Sequence, residues 1–399
     1  MSDAVQDWSI DFDILDPDYV ADPFMIWDDL RGTCPVAHTE RRGGSFLPTR
    51  YEDVVAIARD VATFSSSHVG VLPPDPNFDG PDLLPAGVPP ISVDPPDHTW
   101  SRRLLLPWFS PTRVDQYEAK TRELCRRLID NFIENGTADA AADYAQQIPV
   151  RIIGLVLGVP DSMADTFTGW VRDVLEFAHD VPRREKATAE LVMYFSQLME
   201  ERRVDPGEDL ISALMHTEIE GEPIPDAHIL GTVALTLIAG VDTTWSSIGA
   251  ALWHLATHPD DRRRLVNEPE LMDTALEELL RAYSPVTMAR LVTSDTEVNG
   301  CPMHEGDHVV LNFPAANRDP EQFPDADRVI LDRAVNRHVA FGVGIHRCAG
   351  SNLARMELRV ALEEWLARIP EFSIVEGATV TWAGGQVRGP RECPVVFTA

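Results

Sequence analysis

The longest apolar pattern in the chain begins after Pro225-Asp226 and ends before Pro259. Pro-Asp is a typical helix start, and the residue before a proline disfavours the helical conformation. We therefore predict one long central helix over residues 226–257. At about 1.5 Å per residue, such a helix is longer than a small domain is wide.

Further helices and a few short strands are predicted on both sides of this helix. The helices are expected at residues 53–59, 114–135, 145–159, 162–179, 184–204, 270–283 and 351–367. Strand-like segments occur at residues 45–47, 289–293, 308–312, 372–374 and 394–397. Because no Gly/Ser linker divides the sequence, the pattern predicts a mainly α (α+β) fold. We expect a single large helical domain over residues 1–399 with small β-sheets.

One segment lacks any helical or strand pattern. Residues 71–96 hold nine of the 31 prolines and are predicted to form a long irregular loop. Long loops inside folded domains are usually functional or disordered.

Charge and cysteine content narrow the class of protein. The chain has 34 basic and 64 acidic side chains, a net charge of −30, which argues against nucleic-acid or anionic-membrane binding. The five cysteines include no C-x-x-C pair, which suits a reducing cytosol better than a disulfide framework. The acidic N-terminus does not resemble a signal peptide, and the longest uncharged apolar run, 229–241, is too short to span a bilayer. We expect a soluble cytoplasmic protein.

The most informative stretch is residues 341–350, FGVGIHRCAG, which we name the cysteine loop. Glycines permit positive φ angles, so backbone N–H groups can turn towards the sulfur of Cys348. The N-terminus of the predicted helix that follows favours negative charge and lowers a thiol pKa. These features suit a stable thiolate, and a single thiolate ligand suits haem iron. For an isolated cysteine, a buried thiol in a glycine turn would be the simpler interpretation.

Two polar groups occupy predicted helices that are otherwise apolar. Asp242, Thr243 and Thr244 follow Ala239-Gly240 in the middle of the long helix, where acids and alcohols are unfavourable unless they serve a function. Glu278 and Arg281 lie three residues apart on the next helix, among apolar neighbours on the same face. A buried glutamate needs such a partner, because an isolated buried charge is very costly.

Together these stretches resemble the cytochrome P-450 family, the haem-thiolate monooxygenases. The cysteine loop is similar to the family's F-G-x-G-x-H-x-C-x-G, residues 278–281 to its E-x-x-R, and residues 239–244 to its A-G-x-D-T-T. The resemblance implies haem b (iron protoporphyrin) with Cys348 as the axial iron ligand in a loop that includes Phe341 and Gly342. It also implies a structural ion pair between Glu278 and Arg281.

The resemblance extends to proton delivery and to the haem propionates. It implies that Thr243 hydrogen-bonds dioxygen and that Asp242 relays protons, which suits the protons that O–O cleavage requires. Residues 94–103 are similar to the start of a family helix beside the haem, where His98 and Arg102 share a face. Propionate contacts are implied at four positions: His98, Arg102, Arg290 and His346.

The resemblance also implies a distal substrate pocket and separate redox partners. The pocket residues expected from it are Leu72, Phe78, Leu83, Leu84, Val174, Phe177, Ala239, Val286 and Met288, with a contribution from a turn near 384–387. We expect hydroxylation or O-dealkylation of a small, mostly apolar molecule with dioxygen, a ferredoxin and a ferredoxin reductase. An acidic ferredoxin would need a basic patch, for which the candidates are Arg102, Arg103, Arg113, Arg347, Arg355 and Arg359. We expect a monomer.

Two zinc sites and a different haem function are the competing interpretations. Residues 304–308, HEGDH, fit a zinc protease motif that works only on a helix, whereas Pro302 and the Gly306-Asp307 pair predict a turn. A zinc site built from His338, His346 and Cys348 would have three ligands and would leave the acid-alcohol pair unexplained. A non-enzymatic haem-thiolate sensor or carrier, or a peroxide-driven relative, stays open as the alternative function.

Overall fold

The computed structural model of the chain describes residues 4–74, 80 and 82–398, and 53% of the chain is helical. The described residues divide into two units. The first contains those of Met1–Phe78, Glu268–Cys348 and Thr381–Pro390. The second contains those of Asp79–Asn267, Ala349–Val380 and Arg391–Ala399.

The first unit is built around a five-stranded sheet. In spatial order its strands are Val36–Thr39, Ser45–Pro48, His308–Leu311, Met288–Val292 and Phe64–Ser65. Ser45–Pro48 and His308–Leu311 run parallel, and the other neighbouring pairs are antiparallel. The two central strands are buried at every position, because apolar clusters cover both faces of the sheet.

The alternation of side chains assigns these strands to two cores. Phe46 and Val309 point into one cluster, which contains Ile57 from the helix Tyr51–Arg59. Leu47 and Val310, one residue further on, point into the other cluster. This is the period of two expected of a strand.

The remaining elements of the first unit are short. Its helices are Pro17–Ala21, Phe24–Thr33, Tyr51–Arg59, Met272–Ala282 and Phe313–Ala316, and the strands Thr296–Val298 and Cys301–Met303 form a hairpin. The helices predicted at 53–59 and 270–283 are therefore present with small shifts of their ends.

The second unit is mainly helical. Its α-helices are Asp97–Leu105, Pro111–Asp130, Gln147–Leu157, Ala164–Leu175, Val181–Val204, Leu210–Met215, Asp226–Thr257, Pro259–Asn267 and Ser351–Arg368. A π-helical stretch, Ala140–Ala145, precedes Gln147–Leu157. Three strands, Phe372–Ile374, Pro394–Phe397 and Thr137–Asp139, form a small antiparallel sheet. The strand Thr381–Ala383 belongs to the first unit, and the strand Gly389–Glu392 begins in the first unit and ends in the second.

The long helix confirms one prediction and corrects another. It spans Asp226–Thr257, as predicted from its flanking prolines. Pro259 does more than end this helix, because it is the first residue of a further helix, Pro259–Asn267, that was not predicted. A proline is tolerated at this position since the first N–H groups of a helix have no partner within it.

The helix predicted at 162–179 is shorter than expected. It covers Ala164–Leu175 after one 3-10 turn, and the chain from Glu176 onwards leaves the helix. The cause is the next helix, Val181–Val204, whose N-cap Asp180 accepts a hydrogen bond from the N–H of Arg183.

The long helix is also the one element of the described chain that is long and apolar enough to cross a membrane by length and composition. Its most apolar window is 56% buried inside the protein. It contacts the helices Gln147–Leu157, Ala164–Leu175 and Ser351–Arg368 of the second unit. It therefore has the surroundings of a core helix.

Candidate active site

The cysteine loop takes its shape from two glycines. Gly342 and Gly344 have φ angles of +67° and +76°, which side chains other than glycine rarely adopt. A Cβ atom on Gly344 would also lie 3.0 Å from the carbonyl oxygen of Ala58. The N–H of Cys348 donates a hydrogen bond of 2.8 Å to the carbonyl of Phe341 and closes the loop. The side chain of Cys348 is exposed, three residues before the helix Ser351–Arg368.

His346 and Arg290 belong to the same unit as this cysteine. The Nε2 atom of His346 lies 2.9 Å from the hydroxyl of Ser66. Arg290 is buried in the strand Met288–Val292, and its Nη1 donates a 2.7 Å hydrogen bond to the carbonyl of Ala289. Arg290 is thus a cation buried in a largely apolar sheet.

Glu278 and Arg281 form the expected ion pair, and both side chains are fully buried. The guanidinium donates two hydrogen bonds, of 2.8 and 2.9 Å, to the carboxylate. Its remaining donors reach three backbone carbonyls, those of Asn317, Ala326 and Arg328.

Two further side chains complete this cluster, and sequence reasoning missed both. Arg333 donates to Glu278 at 2.9 Å, and the amide of Asn336 does so at 3.1 Å. Burial alone would raise the pKa of Glu278, but the hydrogen bonds from Arg281 and Arg333 outweigh it and lower the pKa. Arg333 and Asn336 lie in an irregular segment, where no periodic pattern indicates which residues point inward.

The long helix is accessible along one strip. Leu235, Ala239 and Thr243 follow each other at intervals of four residues and share a face. Ala239 is exposed, and Leu235 and Thr243 are half-buried, although most of this helix is buried. The Thr243 hydroxyl donates a 2.9 Å hydrogen bond to the carbonyl of Ala239.

Asp242, one residue earlier, is fully buried. Its carboxylate accepts from the guanidinium of Arg391, at 2.9 and 3.0 Å, and from the hydroxyl of Ser246 at 3.3 Å. Burial raises the pKa of Asp242, and the positive charge of Arg391 opposes that effect without cancelling it. Arg391 was missed from the sequence because it comes from a strand almost 150 residues away.

The helix Asp97–Leu105 of the second unit carries two further candidates. His98 is buried near its start, and Arg102 is half-buried one turn later. Their spacing of four places them on one face, as expected from the sequence.

The structure describes all but one of the expected pocket residues. Phe78 lies outside the described residues. Val286 forms a β-bridge with Val387, and the side chain of Gln386 contacts the sulfur of Met288, so the structure brings residues 285–289 and the turn near 384–387 together. The other half-buried candidates are Leu72, Leu83, Leu84 and Val174.

Phe177 lies two residues beyond the end of the helix Ala164–Leu175, although the predicted helix at 162–179 would have included it. The guanidinium of Arg183, from the next helix, lies 3.5 Å from the centre of the Phe177 ring.

Neither zinc interpretation has a matching cluster in the described part of the chain. There, no group of three His, Cys, Asp or Glu side chains could hold a metal ion. His304 precedes a turn, whereas His308 lies in a strand with one ring nitrogen 2.8 Å from the Ser45 hydroxyl and the other 2.9 Å from the Gly70 carbonyl. His338 contacts the carboxylate of Glu277 at 2.9 Å.

Comparison with known proteins identifies the family. A family model described as Cytochrome P450 matches residues 146–369. The mycinamicin IV hydroxylase/epoxidase of Micromonospora griseorubida is 34% identical over 93% of this chain and 94% of its own length. The vitamin D(3) 25-hydroxylase of Pseudonocardia autotrophica is also 34% identical, over 96% of each chain. The chain belongs to the cytochrome P450 family.

Solved structures agree with this assignment. The crystal structure of CYP109E1 from Bacillus megaterium in complex with testosterone has a TM-score of 0.87 and 29% identity, and the match covers 95% of this chain and 98% of that one. This cytochrome P450 is therefore a haem-dependent monooxygenase of mainly α fold, which uses dioxygen, an organic substrate and redox partners. The alternative of a non-enzymatic or peroxide-driven haem protein receives no support from the comparisons.

The side chains of this P450 fit haem b, the cofactor of the family. The cysteine loop presents one accessible thiol, and a single thiolate is a haem ligand, whereas a structural zinc ion requires four ligands. Arg290, Arg102 and His346 offer N–H donors of the kind that bind carboxylates.

Proposed function

We propose that this cytochrome P450 hydroxylates or O-dealkylates a small, mostly apolar organic molecule in the cytoplasm. Cys348 is the proposed iron ligand, within the loop that includes Phe341 and Gly342. The propionates are assigned to His98, Arg102, Arg290 and His346. When bound, the haem supplies the activation of dioxygen.

The observation that carries this proposal is the accessible Cys348 thiol on a loop closed by its own backbone. The loop holds the thiol in one place, and the helix that follows favours the thiolate form. Glu278 and Arg281 keep a structural role, because they are fully buried and bound to backbone groups.

Proton delivery is assigned to Asp242 and Thr243. The Thr243 hydroxyl lies on the accessible strip of the long helix, where it would be the proton donor on the substrate side once released from the Ala239 carbonyl. Asp242 is the nearest acid in sequence and can return a proton to that hydroxyl.

The substrate class follows from the composition of the candidate pocket segments. The residues proposed to line it are Leu72, Phe78, Leu83, Leu84, Val174, Phe177, Ala239, Val286 and Met288. The segments are residues 71–93, 170–179, 235–244, 285–289 and 384–387. Arg172 is their one Arg or Lys, and it donates two hydrogen bonds to the carboxylate of Glu176. It therefore offers no charge for anchoring a substrate carboxylate. Relatives named for vitamin D(3), a steroid and linalool support an apolar substrate.

A ferredoxin and a ferredoxin reductase are the proposed electron donors. The chain itself carries no cysteine cluster for an iron–sulfur centre. Arg102, Arg103, Arg113, Arg355 and Arg359 of the second unit, with Arg347 of the first, are the proposed contacts for an acidic partner.

The decisive test is an absorption spectrum of the purified protein, reduced with and without carbon monoxide. We expect the strongly red-shifted Soret band of a thiolate-ligated carbonyl complex. Cys348→Ala should abolish this band, and Cys301→Ser, a matched change in a half-buried hairpin, should preserve it. A colourless protein, or a band that survives Cys348→Ala, would refute the assignment.

A further inference from the structure

Two half-buried arginines of the first unit, Arg318 and Arg388, bind no carboxylate in the described part of the chain. The guanidinium of Arg388 donates to two backbone carbonyls at the end of the helix Pro17–Ala21, at 3.1 and 2.8 Å. Arg318 donates to two backbone carbonyls at longer distances, 3.4 and 3.3 Å. All four acceptors are neutral groups, so the positive charge of both side chains is uncompensated at close range.

The two guanidiniums share one aromatic ring. The guanidinium carbon of Arg318 lies 4.0 Å from the centre of the Phe24 ring, and that of Arg388 lies 5.4 Å from it. Arg388 also lies 4.3 Å from the centre of the Trp382 ring. Aromatic faces attract guanidinium groups and hold them in place, but they do not neutralise the charge. Both cations are therefore fixed beside each other, within reach of one small molecule.

The loss of water around these cations makes the arrangement costly. Burial lowers the pKa of Arg388 to about 10, and the positive charge of Arg318 adds to this effect. Burial also lowers the pKa of Arg318, and the charge of Arg281 acts in the same direction. Desolvated charges in proteins are normally paired with an opposite charge.

The nearby acids of the chain do not supply this opposite charge. The carboxylate of Asp28 pairs with Arg31 at 2.7 Å. That of Asp22 accepts a 3.2 Å hydrogen bond from the backbone N–H of Phe24. Asp327 offers its backbone carbonyl to Arg318, not its carboxylate. The acids of this region therefore leave a place for an anion from solution.

We propose that Arg318 and Arg388 bind a small dianion, either a phosphate group or a dicarboxylate, beside Phe24. Three of the five N–H donors on each guanidinium make no hydrogen bond to the described residues. Guanidinium groups bind carboxylate and phosphate oxygens in pairs, and two of them match the charge of a dianion. The site is separate from the cysteine loop and does not depend on the proposed reaction.

The backbone of Arg388 connects this site to the proposed substrate pocket. Its N–H donates a 2.8 Å hydrogen bond to the carbonyl of Pro285, and the adjacent Val387 forms a β-bridge with Val286. A bound anion that fixes Arg388 stabilises this connection, so anion and substrate should affect each other's binding reciprocally. This consequence, unlike the site itself, rests on the pocket proposed above.

The first test is a chemical footprint of the unaltered, haem-loaded protein with phenylglyoxal, which modifies accessible guanidinium groups. Inorganic phosphate and succinate are the two probes, each compared with chloride at the same ionic strength. A saturating probe should slow the modification of Arg318 and Arg388 about tenfold, as measured by mass spectrometry of their peptides. Arg337, an exposed arginine of the same unit, should react at an unchanged rate.

The probe that protects at the lower concentration identifies the ligand as a phosphoryl compound or a dicarboxylate. Absence of protection by both probes, or equal protection of Arg337, overturns the proposal.

A second test measures affinity for the protecting anion by calorimetry. Arg318→Gln should weaken binding at least tenfold, and Arg318→Lys should weaken it less, because it keeps the charge but loses the paired donors. Arg337→Gln removes the same charge from the same unit and should leave the affinity unchanged. Unchanged affinity in Arg318→Gln refutes the site. Arg388 is left in place here because it also holds the helix Pro17–Ala21, and the footprint reports on it directly.

Hydrogen exchange tests the connection to the pocket. The anion should slow exchange severalfold at the N–H of Arg388 and at that of Thr287, which donates to the Gln386 carbonyl at 3.0 Å. Slower exchange in the unaltered protein but not in Arg318→Gln supports the coupling. Anion binding that leaves both exchange rates unchanged confirms the site and refutes its connection to the pocket.

Discussion

At the scale of single residues, buried charges in this P450 are matched by several partners rather than one. Glu278 has two guanidinium partners, an amide and a backbone N–H. Asp242 has a guanidinium and a hydroxyl. These several partners together compensate for the hydration that each carboxylate loses on burial, which a single ion pair would not do. For other groups burial favours the uncharged form, and His308 is an example.

His308 makes stability dependent on pH. Burial lowers its pKa from 6.5 to about 4, although the hydrogen bond to Gly70 acts in the opposite direction. The unfolded chain therefore binds a proton below pH 6.5, whereas the folded protein does so only near pH 4. The free energy of unfolding should fall by about 3 kcal/mol as pH decreases from 6.5 to about 4. Above pH 6.5, where the ring is neutral in both states, His308 should not reduce stability.

Denaturant unfolding at several pH values measures this effect. His308→Gln removes the titrating ring, so its unfolding free energy should depend less on pH between 4 and 6.5 than that of the unchanged protein. Identical pH slopes for the two proteins would show that His308 does not carry the effect.

Thr243 provides a prediction about the reaction. Thr243→Ala removes the hydroxyl on the accessible strip without disturbing the cysteine loop, so haem content and the carbon monoxide band should stay unchanged. Product formed per electron should fall severalfold or more, because the proposed proton donor is lost. Thr243→Ser keeps the hydroxyl and should retain most of the coupling. Full coupling in Thr243→Ala would exclude Thr243 from the relay.

At the scale of elements, the sequence predicts best those elements whose two ends, or whose interacting residues, lie close together along the chain. The long helix has a proline at each end, and the cysteine loop and the Glu278–Arg281 pair are contained within ten residues or fewer. Pro259–Asn267 was missed because only Arg262 and Leu265 of its nine residues are buried, which gives no apolar stripe. Arg391 and Arg333 could not be found from sequence, since distant parts of the chain bring them to Asp242 and Glu278.

Two helical glycines give opposite predictions for the same substitution. A Cβ atom on Gly231 would overlap the carbonyl oxygen of Gly87 and lie 2.9 Å from Pro89 Cδ, whereas one on Gly169 would meet nothing within 4 Å. Gly231→Ala should therefore destabilise the protein by about 1–3 kcal/mol, because a backbone carbonyl cannot move aside cheaply. Gly169→Ala should stabilise it by up to about 1 kcal/mol through helix propensity. Thermal unfolding of the two variants tests both signs, and equal shifts would contradict the packing of residues 87–89 on the long helix.

At the scale of the whole molecule, the net charge of −30 opposes the approach of an acidic redox partner. Productive binding then depends on local arginines. Arg359 is already paired with Glu118 at 3.0 Å, and Arg113 lies 4.8 Å from the centre of the Trp108 ring. We therefore expect Arg359 to contribute less to partner binding than an arginine without an acidic neighbour would.

Charge reversal tests this surface. Replacement of Arg113, Arg355 and Arg359 by Glu should slow reduction by ferredoxin at least tenfold at low salt and flatten its salt dependence. The same reversal at Arg183, Arg184 and Arg203, on the helix Val181–Val204, changes the net charge equally and should have a much smaller effect. Stopped-flow reduction measures both, and equal slowing would mean that total charge, not this surface, governs the encounter.

The five-stranded sheet of the first unit has a consequence for synthesis on the ribosome. Its strands Val36–Thr39, Ser45–Pro48 and Phe64–Ser65 emerge about 220–250 residues before Met288–Val292, the first of their two later partners. At roughly 5–20 residues per second, these strands wait about 10–50 s with an unpaired edge, and a lone hairpin is only marginally stable. Unpaired edges attract other chains. We therefore expect the folded yield in a cell to depend on chaperone capacity and on the speed of translation.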